Sequence, residues 1–455
     1  MDCISVNEII RATQGKLLKG DYEDLVLDIC IDSRKAKNGE VYIALIGERF
    51  DGHDFILDAY EKGVKTFIID SNHTLTLDEE GINIIQVSDT SKALMDIAKY
   101  YREKFSIHYV GVTGSTGKTT TKDMIHSVLS SKYNTLKNEG NLNNQVGLPL
   151  TIFKLSKEHE AAVLEMGMSS FGEIKSLADI VHHKVAVISN IGYSHIENLG
   201  SKDGILKAKL EIASNFTKEN TLIINGDDKY LKKIKDVNYK VKTFGFESEN
   251  DIYCTRYDMD ENGTNFEVSL YDKQYEFFVP SRGKHNIYNA MASILVALEL
   301  DLSIEEIRNG LLNYKSSKMR LDIVKKGNIT IINDAYNASP DSMKAALEIL
   351  GEYKENRKIA VLGDMLEMGE YAIEGHRLVG TFAKGKCDII ITVGKDSRHI
   401  GVKAIEDGLG SENVFHFDTN EEAIDLIKNI IREKDVVLVK GSRGMRMEKI
   451  AQVLL

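Results

Sequence analysis

HYVGVTGSTGKTTTKDMI, residues His108–Ile125, reads as a strand that runs into a glycine-rich turn and then into a helix. A turn of this kind aims backbone N–H groups and a helix N-terminus at one point, which is where a phosphate group binds. Lys118 can reach the β- and γ-phosphates of a nucleotide, Thr119 can hold Mg²⁺, and Thr120 can support the α-phosphate. The strict G-x-x-x-x-G-K-[ST] pattern is not met, because Val112 stands where its first glycine belongs. The match is to G-x-x-G-K-T-T over Gly114–Thr120, and its weight comes from the strand before it and the helix after it.

Outward from this turn, strands and helices alternate. TTTKDMIHSVLSSKY reads as a helix, and AAVLEMG, VAVISNI and TLIIN read as buried strands, which predicts a parallel sheet covered by helices. Strand C-termini share one rim of such a sheet, so Lys118, Glu165 and His195 are expected together there. Glu165 can bind a metal or orient water, or be a solvated strand-end carboxylate. His195 and Glu197 are expected in a loop, where an imidazole ligand would be unusual for Mg²⁺ and hints at a specialised second metal site. Lys207 and Lys209 follow on a helix; as plain lysines they would repel a cation, whereas a carbamate would attract one.

The sequence on either side adds two further units. Before the turn, Val41–Leu45 and Thr66–Asp70 read as strands, with a helix in FILDAYEKG between them that ends at Gly63. IDSR (Ile31–Arg34) and RFDGHDF (Arg49–Phe55) are polar and turn-rich, and Ser88–Phe105 reads as an amphipathic helix leading onward. After the core, Thr264–Pro280 alternates every second residue and predicts an antiparallel hairpin, followed by an apolar helix in GKHNIYNAMASILVALEL. From near Lys318, KIAVLGD, DIIITVG, NVFHFD and DVVLVKGS alternate with helical stretches, which suggests a small doubly wound domain.

Bulk properties set limits on function. The chain has 455 residues, 42% of them hydrophobic and 28% charged, as in a folded protein of about three domains. Its 58 basic and 69 acidic side chains give a net charge of −11, which argues against a general nucleic-acid binder. No basic-then-apolar leader and no apolar run long enough for a bilayer is seen, so neither secretion nor membrane insertion is expected. The four cysteines (Cys3, Cys30, Cys254, Cys387) are far apart, show no metal spacing, and are expected to be reduced bystanders in a cytoplasmic protein.

GSTGKTT, LEMG, NIGYSHIENLGS, LKAK, NGDD (Asn225–Asp228) and GKHNIYNA, in this order, resemble the Mur ligases, the ATP-dependent amino-acid ligases of peptidoglycan precursor synthesis. DAYNASPDSMKAAL (Asp334–Leu347), VLGDMLEMGE (Val361–Glu370) and VLVKGSRGMRME (Val437–Glu448) are most similar to the branch that joins D-Ala-D-Ala to UDP-MurNAc-tripeptide. The resemblance covers essentially the whole chain. It implies an α/β protein of three domains: a small UDP-sugar-binding domain (1–85), a central parallel-sheet P-loop ATPase domain (86–316) and a C-terminal Rossmann-like domain (317–455).

Residue by residue, the resemblance implies that Gly114, Ser115, Thr116, Gly117, Lys118, Thr119 and Thr120 hold the ATP phosphates. Glu165 and His195 would bind two Mg²⁺ ions with Thr119, and Lys209, in the position of the family's carbamylated lysine, would complete the second ion's site. Asn286 and Asn289 would reach the adenine side, while Arg320, Asp334 and Asn337 would close on ATP. Ser33, Arg34, Arg49, Asp51, Gly52 and His53 would meet the UDP-sugar, and Asn141, Asn143 and Asn144 would line the central substrate cleft. Arg443 or Arg446 could grip the dipeptide carboxylate, or both could be surface charges on a terminal helix. The implied enzyme is a monomer. Three positions depart from the family pattern: Ser339 in YNASP, Gly226 in NGDD and Leu199 in the histidine loop. No DNPR-like motif of the diaminoacid-adding branch is present in the third unit, and the polyglutamate-adding relatives would not explain the first unit.

Overall fold

A computed structural model describes residues 1–77 and 79–455. The first sheet has five strands in the order Lys16–Lys19, Asn83–Val87, Thr66–Asp70, Glu40–Ile43, Asp28–Cys30. Only the Lys16–Lys19 edge is antiparallel. Strand Asn83–Val87 carries this sheet two residues past residue 85. The helix expected in FILDAYEKG is present as Ile56–Glu61, and a 3₁₀ turn at Gly52–Phe55 precedes it within the turn-rich stretch.

Helix Thr90–Glu103 leads out of this unit, its first turn capped by the Asp89 carboxylate on the Ser91 and Lys92 N–H groups. Its apolar face (Ala93, Leu94, Ile97, Ala98 and Tyr101) recurs at the helical period and is buried. These side chains join Ile43, Ile68 and Ile85 of the first sheet and Ala162 and Leu164 of the second in one core. The helix is therefore the shared filling between two sheets, and the Tyr101 hydroxyl fixes it by donating to the Leu155 carbonyl at 2.8 Å.

The central sheet has nine strands. Its parallel part runs from Ile252–Met259 through Lys240–Gly245, Thr221–Asn225, Val185–Ile188, His108–Thr113 and Ala161–Glu165 to Thr135–Lys137. Both faces are covered, as parallel strands require. Val110, Val112, Ala161 and Val163 pack on one face, against helix Lys284–Glu299, and Tyr109, Ala162 and Leu164 on the other. The predicted hairpin is present as Thr264–Leu270 and Lys273–Val279, joined by Tyr271 and Asp272 with φ of 49° and 60°. Two left-handed residues in a two-residue loop make the turn whose twist matches its strands. It is extended by a third antiparallel strand, Ile252–Met259, which sequence alternation does not reveal, because a register shift between Cys254 and Arg256 breaks the pattern.

The third sheet has six strands, parallel except for the Asp322–Lys326 edge, which pairs antiparallel with Ile329–Asp334. All four strand stretches expected from the sequence are present, and the edge hairpin is additional. Among the described residues no helix is long and apolar enough to cross a membrane, and the four cysteines are unpaired.

The helix behind the phosphate loop, Lys118–Leu129, is clamped from outside by Ile304–Leu312. The approach is close because Gly310 has no side chain: a Cβ there would lie 2.3 Å from the Val128 Cα. Gly310→Ala is therefore expected to lower unfolding free energy by about 1–3 kcal/mol, read as a lower urea midpoint. An unchanged midpoint would show that the two helices do not depend on this contact.

Candidate active site

Strand His108–Thr113 lies between Ala161–Glu165 and Val185–Ile188, all parallel, with Val112 opposite Glu165 and Thr113 opposite Ile188. The three strands thus end at one rim, and the segments that follow them converge. The loop Gly114–Gly117 is braced from the neighbouring strand end. Ser189 Oγ donates to the Thr116 carbonyl at 2.6 Å, and Asn190 Oδ1 accepts the Thr116 N–H at 3.0 Å. A Cβ at Gly114 would stand 1.9 Å from Ser189 Oγ, so only glycine permits this approach. Gly117, at φ 76°, turns the chain into the helix that Lys118 begins.

The Lys118 ammonium folds back onto its own loop, donating to the Gly114 carbonyl at 2.9 Å and lying 3.4 Å from that of Ser115. Burial lowers its pKa, opposed by the nearby Glu165 and Glu367 carboxylates. Thr119 Oγ1 donates to Glu165 Oε2 at 2.7 Å, and Asn143 Nδ2 donates to Glu165 Oε1 at 2.8 Å. Glu165 is buried, and its backbone is clasped by the Asn138 amide, which accepts its N–H at 2.9 Å and donates to its carbonyl at 2.9 Å. The buried Lys122 in turn donates to the Asn138 carbonyl at 2.6 Å.

Lys209, on helix Lys202–Leu210, is almost wholly buried, and its amine donates to the same Gly114 carbonyl at 2.9 Å. Two amines on one carbonyl oxygen disfavour two positive charges. Burial, and then the Lys118 charge, hold the Lys209 pKa well below the lysine range. Lys207, two residues earlier, points elsewhere, with its ammonium 5.7 Å from the Phe171 ring. His195 sits at φ 64° before the short helix Ile196–Leu199, so Glu197 lies in a helical turn rather than a loop. The imidazole Nδ1 is 2.7 Å from Glu367 of the third unit. Thr119, Glu165 and Asn143 supply the oxygen-rich surroundings that a hard divalent ion takes, so the residues present fit Mg²⁺.

The remaining expected residues fall into three groups. Asn286 and Asn289 are buried behind the loop and bonded to protein: Asn289 accepts the Thr121 hydroxyl at 3.0 Å and donates to Asn286 at 3.1 Å. The Arg320 guanidinium lies 4.0 Å over the Tyr336 ring, Asp334 pairs with the buried Lys440 and accepts the Leu321 N–H, and Asn337 lines a cleft that also contains His195. In the first unit Arg34 pairs with Asp32, Ser33 gives its carbonyl to Lys62, Arg49 is exposed, and Gly52 donates its N–H to the Leu45 carbonyl. Asn144 Oδ1 accepts the Val146 and Gly147 N–H groups where helix Gly147–Ile152 begins, Asn141 is exposed, and Asn143 is drawn to Glu165.

Asp51, His53 and His73 are close enough to surround an ion. His53 Nε2, however, accepts the Asp70 N–H at 3.0 Å, so the ring's proton sits on Nδ1, 2.6 Å from Asp51. His73 stacks on His53 at 3.7 Å and reaches the other Asp51 oxygen at 3.1 Å. The group is a brace for the Arg49–His53 turn, with no lone pair free on His53.

Sequence reading does not single out Asn190, Asn138, Asp341 or Glu367. Asn190 follows a buried strand at the rim, which is a usable signal. Asp341, whose carboxylate accepts the Tyr193 N–H at 3.2 Å, and Glu367 act across units and leave no local pattern. The structure accounts for two of the unusual positions. Ser339 caps helix Pro340–Gly351, and Gly226 leaves room for Asn250, whose Oδ1 would lie 1.8 Å from a Cβ.

Comparison with known proteins places this geometry. The Mur ligase middle domain matches residues 112–297, the Mur ligase glutamate ligase domain residues 319–443, and the Mur ligase family catalytic domain residues 27–102. The UDP-N-acetylmuramoyl-tripeptide–D-alanyl-D-alanine ligase of Bacillus subtilis is 38% identical over 99% of this chain and 98% of its own. A crystal structure of MurF from Acinetobacter baumannii superposes with a TM-score of 0.92 at 32% identity, covering 100% of this chain and 99% of the other. MurF from Thermotoga maritima, in complex with ADP, gives 0.83 at 29% identity over 93% and 96%. With relatives of this identity along its full length, and the glycine loop, carboxylate and buried lysine gathered at one sheet rim, the chain belongs to the Mur ligase family.

Proposed function

We propose that the chain is a MurF-type ligase, which uses ATP to join D-Ala-D-Ala to UDP-MurNAc-tripeptide and so makes UDP-MurNAc-pentapeptide for cytoplasmic peptidoglycan precursor synthesis. The observation that carries this reading is the convergence of Lys118, Lys209 and the Thr119–Glu165 pair on the Gly114–Gly117 loop, in a chain similar along its length to dipeptide-adding ligases. Units 1–85, 86–316 and 317–455 bind the UDP-sugar, bind ATP and close over it, in a monomer.

Amide formation from a carboxylate is uphill in water, so the acid is activated first. A carboxylate oxygen of the tripeptide attacks the γ-phosphorus of ATP; the bond to the β-phosphate oxygen breaks, and ADP leaves. The dipeptide amine then attacks the acyl carbon, phosphate departs, and the nitrogen loses a proton. Both partners of the first step are anions. Lys118, released from the Gly114 carbonyl, neutralises the transferring phosphoryl group, and the loop N–H groups fix its orientation. Gly114, Ser115, Thr116, Gly117 and Thr120 share that cradle, Asn286 and Asn289 support it towards the adenine, and Arg320, Asp334 and Asn337 close it from the third unit. Closure excludes water from the acyl phosphate. Ser33, Arg34, Arg49, Asp51, Gly52 and His53 hold the UDP-sugar, with Asn141, Asn143 and Asn144 along the cleft between.

Two Mg²⁺ ions would be held by Thr119 and Glu165, and by His195 with Lys209 as a carbamate; bound there they supply further charge neutralisation between the two anions. The depressed pKa of Lys209 supports the carbamate. A neutral amine can add to the carbon of CO₂, forming an N–C bond with loss of one proton, and the product is an anion in the position where an ammonium would repel the metal.

Phosphate release from ATP and Mg²⁺ with UDP-MurNAc-tripeptide is expected to require D-Ala-D-Ala and to yield the pentapeptide mass. Release only with UDP-MurNAc-dipeptide plus lysine or diaminopimelate would move the protein to the diaminoacid branch. Lys118→Ala is expected to abolish turnover; retained activity would remove the phosphate assignment. Lys209→Ala should be nearly inactive and partly rescued by small carboxylates, whereas full activity in that variant would overturn the carbamate.

A further inference from the structure

The helix that begins at Lys118 carries a buried charged cluster about one turn beyond the phosphate loop. Lys122 and Asp123 are both buried, and Lys137 reaches Asp123 from strand Thr135–Lys137. One carboxylate thus faces two ammonium groups. Asp123 Oδ1 takes both, 2.8 Å from Lys137 Nζ and 3.4 Å from Lys122 Nζ. Asp123 Oδ2 accepts the hydroxyl of Ser317, 194 residues further along the chain. Burial raises the Asp123 pKa, but the Lys122 charge and the hydrogen bonds from Lys137 and Ser317 outweigh it and hold the group below the usual carboxylate range. One oxygen of the carboxylate therefore closes the ion pairs, and the other holds a distant segment.

That segment is the linker between the second and third units. It leaves helix Ile304–Leu312 and enters strand Asp322–Lys326. At its start, Tyr314 is buried in the same core as Val128, Ile307 and Leu311 of the second unit. At its end, the Met319 carbonyl accepts the Tyr336 N–H at 3.3 Å and the Leu321 N–H donates to Asp334, both partners lying in the third unit. Lys315, Ser316 and Lys318 are exposed and form no hydrogen bond among the described residues. Asp123, Lys137, Asn313 and Lys315 line a cavity of about 350 Å³, so the linker is not packed along the helix here. A polar tie, Ser317 on Asp123, holds it instead. With the tie made, Lys318 alone separates the last point fastened to the second unit from the first fastened to the third. Without it, the unfastened stretch is 315–318. Arg320 follows directly, stacked on Tyr336 and near enough to Lys118 to oppose its charge.

We infer that Asp123 is a positioning residue for the ligase reaction: by holding Ser317 it fixes where the linker leaves the second unit, and so narrows the positions from which Arg320 meets ATP. The inference rests on the ligase reading above, in which Arg320 closes on ATP. A longer unfastened linker lowers the fraction of molecules in the competent arrangement, and the apparent affinity for ATP falls with that fraction. The same cluster supports the Glu165 carboxylate from behind, because Lys122 donates to the Asn138 carbonyl and the Asn138 amide clasps the Glu165 backbone. The linker and Glu165 are thus fastened to one buried group of charges. Ser317 can be changed without opening that group, since both ammonium groups sit on the other carboxylate oxygen.

The test uses Ser317→Ala, which removes the tie and keeps the ion pairs, and Ser317→Thr, which keeps a hydroxyl. Trypsin reads the linker directly, through fragments ending at Lys315 and Lys318 identified by mass. Ser317→Ala should be cut there about tenfold faster than wild type, as expected for loss of a hydrogen bond to a charged group, and Ser317→Thr at close to the wild-type rate. In turnover, Ser317→Ala should lower kcat/KM for ATP by about tenfold, with KM for UDP-MurNAc-tripeptide and the urea midpoint close to wild type. Ser317→Thr should restore the ATP value. Wild-type cleavage of Ser317→Ala overturns the tie, and faster cleavage with unchanged ATP kinetics overturns its positioning role. Equal losses for both substrates with a lower urea midpoint also overturn it, because they mark a general structural contact, as does a Thr variant that behaves like Ala. A wild type without turnover dependent on D-Ala-D-Ala overturns the ligase reading, and the positioning role with it, while the cleavage rates still report the tie.

Discussion

Parallel register is the constraint on which the site depends. With Val112 opposite Glu165 and Thr113 opposite Ile188, three buried strands stop at one level, and the backbone leaves the sheet there in three adjacent places. The glycine loop, the carboxylate and the Ser189–Asn190 brace are consequences of that level edge. A one-residue slip would move each of these groups to the other face and bury the wrong side chains in two cores. The apolar alternation within each strand (Val110 and Val112 to one core, Tyr109 to the other) is therefore also what aims the chemistry.

The loop that results holds two buried amines before any ligand arrives. Lys118 and Lys209 share one carbonyl oxygen, and burial disfavours both charges. An anion entering beside Lys118 favours its charged form, which burial opposes. The Glu165 carboxylate is held by Thr119 and Asn143 on its two oxygens and by Asn138 on its backbone, so it is oriented in advance. Lys122, buried one layer further back, fixes Asn138.

Two contacts between the second and third units fall at the same rim. Asp341 accepts the Tyr193 N–H, and Glu367 meets His195, so the third unit holds the histidine loop at two points. The linker between the units is pinned at Asp334, which accepts the Leu321 N–H, and passes through left-handed residues at Met319 and Leu321 on either side of Arg320. Arg320 is thereby presented on a short constrained turn, stacked on Tyr336.

The sequence by itself determined much of this. Alternating strands and helices are written in local hydrophobic period, the glycine loop in a contiguous motif, and the ordered motifs together in the family, because each depends on residues near one another in the chain. Lys118 and Thr119 stand in that contiguous motif, Glu165 at a readable strand end, and Lys209 is singled out only by the family motifs. Tertiary structure alone decided the rest. It put Asn143 on Glu165, buried Asn286 and Asn289 behind the loop, and paired Asp334 with Lys440. It also brought Glu367 to His195 across more than 170 residues of chain and set Arg443, but not Arg446, in the cleft. A pairing of this kind depends on how whole sheets dock, and docking is set by the sum of two buried faces, which no local pattern encodes.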